Sequence, residues 1–148
     1  MIIIAPWAQQ LRNNAQNPKN YPYWEELLSN IDEPIVQIGI EGEKQLVKDF
    51  KKNLSLLELK TLVKQCKTWI GVDSFFQHFC WSIGKPGIVL WGQSDPNIFG
   101  HKENINLLKS RDYLRADQFL IWEQAEYIED CFVKPEVVLS YLQKELNK

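Results

Sequence analysis

The run Gly71-Val72-Asp73-Ser74-Phe75-Phe76-Gln77-His78, followed by Gly84-Lys85-Pro86-Gly87-Ile88-Val89-Leu90-Trp91-Gly92-Gln93-Ser94-Asp95-Pro96, decides the fold. It reads as two apolar strands, Thr68 to Val72 and Gly87 to Trp91, around a buried helix from Phe75 to Ile83 that Gly84 stops. Asp73 and Ser74 fall where the first strand hands over to the helix, and His78 follows one helical turn later. That handover point is where open α/β sheets bind ligands.

Working outward, strand-like and helix-like segments alternate without repeats or low-complexity runs, which predicts a parallel sheet with helices on both faces. Ile2 to Ala5 reads as a buried first strand. A polar loop from Gln9 to Asn20 follows, and Pro22 suits the first turn of a helix from Tyr21 to Ile31. Pro34 to Gly39 is the second strand, and Glu43 to Phe50 is expected to be helical. Ser55 with Glu58 three residues on forms a capping box, and Leu56, Leu59, Leu62 and Val63 recur at helical spacing, so a helix is predicted from about Leu56 to Cys66. Gly100 to Asp130 carries little periodicity beyond a short strand at Ile105 to Leu108. Pro135 opens a final helix with Val137, Val138, Tyr141, Leu142 and Leu146 on one face. The expectation is a three-layer, Rossmann-like α/β domain of about five parallel strands.

With 148 residues, 45% hydrophobic and 24% charged, the chain reads as a single domain, 1–148, with room for a proper core. No apolar run approaches the roughly 20 residues of a membrane helix, and Met1 to Pro6 is too short and lacks the basic leader of a signal peptide. Cys66, Cys80 and Cys131 are odd in number and widely spaced, so neither a zinc site nor a disulfide framework is indicated, and a cytoplasmic location is expected. A net charge of −2 offers no general attraction to nucleic acid or to an anionic membrane. The lysines at 44, 48, 51, 52, 60, 64 and 67 read as a solvated helix face. Dinucleotide-binding glycine fingerprints, phosphate-loop sequences and hydrolase nucleophile motifs are absent, as is a local metal motif: His78 and His101 stand far apart in sequence. No metal and no cofactor is expected.

The order of these motifs resembles the ADP-heptose glycosyltransferases, the heptosyltransferases of glycosyltransferase family 9. Members carry Asp-Ser/Thr-Gly-x-x-His after a strand, then Lys/Arg-Pro, an apolar strand and Gly-Pro-Thr-Asp-Pro. Asp73, Ser74, His78, Lys85-Pro86, Gly92, Ser94 and Asp95-Pro96 fall into that pattern in order. Lys19-Asn20-Tyr21-Pro22-Tyr23-Trp24 is similar to the family's Lys-x-Trp-Pro-x-x-x-Trp, and Cys131 with Lys134 to Val137 to its closing Cys-x-x-x-Ile-x-x-x-x-Val. The resemblance covers nearly the whole chain and implies a single half of a GT-B glycosyltransferase, the C-terminal domain that binds the nucleotide sugar. In the family, the acceptor site and the proposed catalytic base lie in the N-terminal domain, so no catalytic residue is assigned here.

The candidate binding residues are Lys19, Glu43, Asp73, Ser74, His78, Gly92, Ser94 and Asp95. Ser74 is either a plain helix N-cap or, with the positive end of the helix, a diphosphate contact. Asp73 beside a diphosphate suits the orientation of backbone groups, sugar hydroxyls or a cation, and the resemblance puts it at the donor sugar. His78 is either a packed core histidine or a donor-site residue. Lys19 is the candidate for direct phosphate contact. Glu43 is placed like the acid that accepts ribose hydroxyls, with Glu41 competing. Gly92, Ser94 and Asp95 are expected to frame the pocket. Phe75 stands where the family has a small residue, and its ring either obstructs phosphates or stacks on a base or sugar. The resemblance thus implies a heptosyltransferase-like donor-binding domain for an ADP-sugar or related nucleotide, catalytic only if completed by an N-terminal-half partner or by self-association. The alternatives are a non-catalytic nucleotide-binding or sequestering module, or a degenerate domain kept for protein interaction. Trp7, Trp122 and the last helix are the candidate self-association surface.

Overall fold

Three consecutive isoleucines build the centre of the sheet. In the computed structural model, which covers residues 1–148, β1 (Ile2–Ala5) pairs in parallel with β2 (Ile35–Gly39) on one side and β4 (Thr68–Val72) on the other. β3 (Asp49–Lys52), β5 (Ile88–Trp91) and β6 (Ile105–Leu108) complete a six-stranded, all-parallel sheet of order β3-β2-β1-β4-β5-β6. This is the doubly wound order, and it reverses direction between β1 and β4.

Side chains alternate across the sheet and so divide the core in two. Ile2 and Ile4 of β1, with Ile70, Val72, Ile88 and Leu90, pack under α1 (Trp24–Ser29) and α5 (Pro135–Leu146) through Trp24, Leu27, Val138 and Leu142. Ile3 and Ala5 face the other way, with Val36, Trp69, Val89 and Trp91, toward α2 (Leu56–Gln65) and α3 (Phe75–Ser82) through Leu59, Val63, Phe76 and Cys80. A four-residue helix, α4 (Pro96–Phe99), follows β5. The three-layer α/β architecture is as expected. Tyr21 packs edge-on against Tyr23, Trp24 and Phe132, and its hydroxyl donates to the Val133 carbonyl at 2.8 Å, tying the segment after Lys19 to the segment before α5.

The capping box at the start of α2 is formed: Glu58 N donates to Ser55 Oγ at 3.1 Å and Ser55 N donates to Glu58 Oε1 at 3.0 Å. Three expectations are corrected. There are six strands rather than about five, and the segment expected as a helix from Glu43 to Phe50 is instead irregular backbone with bends that leads into the edge strand β3. Gln37 of β2 explains the difference. Its amide group donates to the Lys44 carbonyl and accepts from Leu46 N, so it takes up backbone groups that a helix would need for itself. The first helix begins at Trp24, leaving Pro22 just outside it.

Gly87 enters β5 directly beneath the Trp69 indole, and a Cβ there would lie 2.3 Å from Trp69 Cδ2. Trp69 is fully buried and its Nε1 donates to the Lys85 carbonyl at 2.9 Å, so the ring cannot swing away. Gly87→Ala is therefore expected to lower unfolding stability by about 1–3 kcal/mol, the usual cost of overpacking, read as a lower urea midpoint at unchanged slope.

Candidate functional site

At the carboxyl ends of β1, β2 and β4 the diverging connections leave a cleft of about 810 Å³. This is the crevice at the switch point of the sheet. Its walls come from the loop after β1 (including Arg12, Asn17 and Lys19), the end of β2 (Ile38, Gly39), Glu43, the start of α3 (Asp73 to Phe76, and His78), Phe99, and Ile121 to Glu123.

Asp73, last residue before the α3 turn, is 5% exposed, and Lys19 Nζ lies 3.1 Å from its Oδ2. Gln77, one turn on and fully buried, donates from Nε2 to the other carboxylate oxygen at 2.9 Å. The carboxylate is thus fixed on one oxygen by a neutral amide and on the other by a cation, which is what a buried charge requires. Lys19 is positioned by its own loop. Its backbone N–H donates to Asn17 Oδ1, Asn17 Nδ2 donates to the Gln9 carbonyl, and Asn20 Oδ1 accepts from Ala8 N.

Ser74 has extended backbone geometry, and its hydroxyl caps none of the α3 amides. The plain N-cap role therefore does not describe it, and the first turn of α3 opens on the cleft without a side-chain acceptor of its own. His78 Nδ1 lies 2.8 Å from His101 Nε2, and the His101 ring stacks on Trp81 at 4.6 Å. Desolvation, reinforced by His101 and opposed by Asp73, holds the His78 imidazole below the usual histidine range. The shift favours the neutral imidazole, a donor or acceptor rather than a cation.

Glu43 Oε1 accepts from Ile40 N at 2.8 Å, folding its carboxylate back over Gly39. A Cβ at Gly39 would meet that oxygen, so the glycine makes room for the acid. Burial raises the Glu43 carboxyl above its ordinary range, opposed by the Ile40 hydrogen bond. Glu41, its competitor, instead pairs with Lys52 at 3.5 Å on the surface and does not line the cleft.

The structure thus brings Lys19, Glu43, Asp73, Ser74 and His78 together in one cleft. Gly92, Ser94 and Asp95 lie outside its lining. Gly92 packs against Phe132 and Cys131, where a Cβ would come within 2.7 Å of the Phe132 ring. Ser94 is buried, and Asp95 caps α4 through Asn97 N while accepting a bidentate pair from Arg111 at 3.0 and 2.7 Å.

One wall was not read as part of the site from sequence. Trp122 is held by Arg115, stacked 3.5 Å from its ring centroid, with Lys19 Nζ 5.0 Å away. Arg12 N donates to Glu123 Oε2, which fastens this turn to the loop after β1. Trp7 also lines the cleft, donating to the Lys44 carbonyl, and both tryptophans are half-buried there. Of the large apolar side chains of the last helix, only Val137 and Tyr141 are exposed.

Residues 51–119 match the model of glycosyltransferase family 9 (heptosyltransferase). Three solved structures from E. coli share the architecture. The ADP-heptose LPS heptosyltransferase II is 16% identical with a TM-score of 0.68, over 98% of this chain and 46% of its own. The heptosyltransferase WaaC with ADP is 16% identical with a TM-score of 0.64, over 97% and 43%. The iron-containing dodecameric glycosyltransferase TibC, from an enterotoxigenic strain, is 17% identical with a TM-score of 0.70, over 99% and 46%. The chain has the heptosyltransferase fold. It spans less than half the length of these proteins. No curated protein matches it in sequence. The family match takes in the heptosyltransferase-like run from Asp73 to Pro96, whereas Lys19 and Glu43 lie before it and join the site through the fold. No helix is long and apolar enough to cross a membrane.

The raised Glu43 carboxyl fixes the sign of a stability test. Between its unfolded and folded values the native state binds more protons, so this group costs stability as pH rises through that window and on to neutrality. Glu43→Gln, which keeps an acceptor for Ile40 N, is expected to raise the melting temperature at pH 7. The gain should shrink toward zero below the ordinary glutamate range, as thermal melts across pH would read.

Proposed function

We propose that the cleft binds an ADP-sugar or related adenine nucleotide as the donor-binding half of a heptosyltransferase-like glycosyltransferase. The convergence of Lys19, Asp73, Ser74, His78 and Glu43 at the switch point of the sheet carries this reading. The nucleotide's diphosphate sits against the uncapped first turn of α3, whose N–H groups and dipole favour an anion, with the Ser74 hydroxyl as a further donor. Lys19, with three donors on one ammonium, reaches the diphosphate while remaining beside Asp73. Glu43, past the end of β2, accepts from the ribose hydroxyls. Asp73 and neutral His78 are then left for the sugar, whose hydroxyls both donate and accept. Gly92, Ser94 and Asp95 support the β5 end of the site from behind rather than touching the donor.

Sugar transfer also needs an acceptor site, a base to take the acceptor proton and a closed cleft. In this reading they come from an N-terminal-half polypeptide or from a second copy, and the protein works in the cytoplasm. The chain by itself binds the donor. The alternative of a degenerate domain kept for protein interaction has one specific observation in its favour: Phe75, 63% exposed, stands on the cleft lining.

Calorimetric titration with ADP, UDP and GDP tests the proposal. ADP is expected to bind most tightly. Lys19→Ala should weaken ADP binding by about tenfold or more, in line with a charge-assisted contact of about 1.5–3 kcal/mol. Because Lys19→Ala strands the Asp73 carboxylate, Lys19→Ala/Asp73→Asn serves as the folded control and should bind ADP as weakly. Absence of binding by any of the three nucleotides overturns the proposal.

A further inference from the structure

Phe75 is the first residue of α3, and its ring is largely unburied although residues on both sides of it in sequence are fixed in the fold. It belongs to the cleft lining together with Asp73 and His78, and it lies 5.9 Å from the Phe79 ring, tilted by 36°. Phe99, from the end of α4, contributes a second aromatic side chain to the same cleft. Other large apolar side chains are as exposed, Leu57 and Phe119 among them, but Phe75 shares its cleft with the buried Asp73 carboxylate and the His78 imidazole. Its chemistry fits one class of ligand well. A pyranose ring has a face of C–H groups that packs on an aromatic ring and a rim of hydroxyls that hydrogen-bond to a carboxylate and an imidazole.

We infer that Phe75 is a specificity-determining residue that receives the sugar ring of the nucleotide sugar, its aromatic face taking the C–H face of the pyranose while Asp73 and His78 take the hydroxyls. This rests on the donor-site reading above and deepens it. Phe75 replaces the small residue of the resembling motif, and its consequence is a change of preference. The site gains affinity from the sugar moiety and gains nothing from the ring when the ligand is a bare nucleotide. Phe75 has no part in the folded core, so its removal leaves the fold intact.

The experiment compares ADP with ADP-glucose and ADP-heptose by calorimetry on the full chain, as wild type, Phe75→Ala and Phe75→Leu. The wild type is expected to bind at least one ADP-sugar more tightly than ADP. Both variants should lose about three- to tenfold of that advantage, with ADP affinity unchanged. Phe75→Leu keeps apolar bulk, so its loss separates a stacking face from simple filling. An unchanged preference in Phe75→Ala overturns the inference and leaves the donor site standing. So does a rise in ADP affinity in Phe75→Ala, which would make the ring a plug on the diphosphate. A wild type that binds neither ADP nor either sugar nucleotide overturns both readings.

Discussion

Everything in this fold is arranged around a strand of four residues. β1 is buried on both faces and hydrogen-bonded on both edges, so Ile2 and Ile4 anchor one core layer and Ile3 and Ala5 the other. Such a strand has no polar face and no alternative partner, and it reads as an uninterrupted apolar run for that reason. Because the sheet order reverses beside β1, the connections after β1 and β4 diverge. The crevice between them is then a consequence of topology, and the residues that follow those strands form its walls.

The charges in that crevice are balanced rather than uniformly basic. Its lining holds Arg12, Lys19 and Lys51 together with Glu43, Asp73 and Glu123. A ligand with both an anionic part and a hydroxyl-rich part uses both signs, the cations and helix amides for phosphates and the acids for sugar hydroxyls. An imidazole held toward its neutral form leaves Lys19 without a competing cation beside Asp73.

The sheet and the α3 motif were legible in the sequence because buried parallel strands are apolar throughout and their ends are punctuated by Gly, Pro, Asp and Ser. β3 was not. Asp49, Phe50, Lys51 and Lys52 form a mostly exposed edge strand whose state depends on pairing with β2 and on Gln37 capturing the Lys44 and Leu46 backbone. A local pattern of charges and scattered apolar residues reads as helix there. The Trp122 wall failed for a related reason. Residues 109 to 131 are held by short 3-10 turns and side-chain bonds to backbone, such as Arg115 to the Ile121 carbonyl and Gln118 to the Gln93 carbonyl, which leave no period to read. Only the aromatic and basic character of Trp122 and Arg115 was available as a signal. The His78–His101 contact joins residues 23 apart and has no sequence signature at all.

The Lys19–Asp73 pair invites the objection that the site's principal cation is already spent on its own carboxylate. The geometry answers it. Asp73 is held independently on its other oxygen by buried Gln77, so it does not rely on Lys19 for its orientation. Lys19 Nζ lies 3.1 Å from Asp73 Oδ2, a single contact that occupies at most one of the three N–H groups. The ammonium therefore keeps N–H groups free to turn toward the cleft. A phosphate arriving at α3 would share the ammonium rather than capture it, and Asp73 would stay compensated throughout. The pair holds Lys19 in place at the α3 turn before any ligand arrives, so the entropy of fixing a long side chain is already paid in the empty protein.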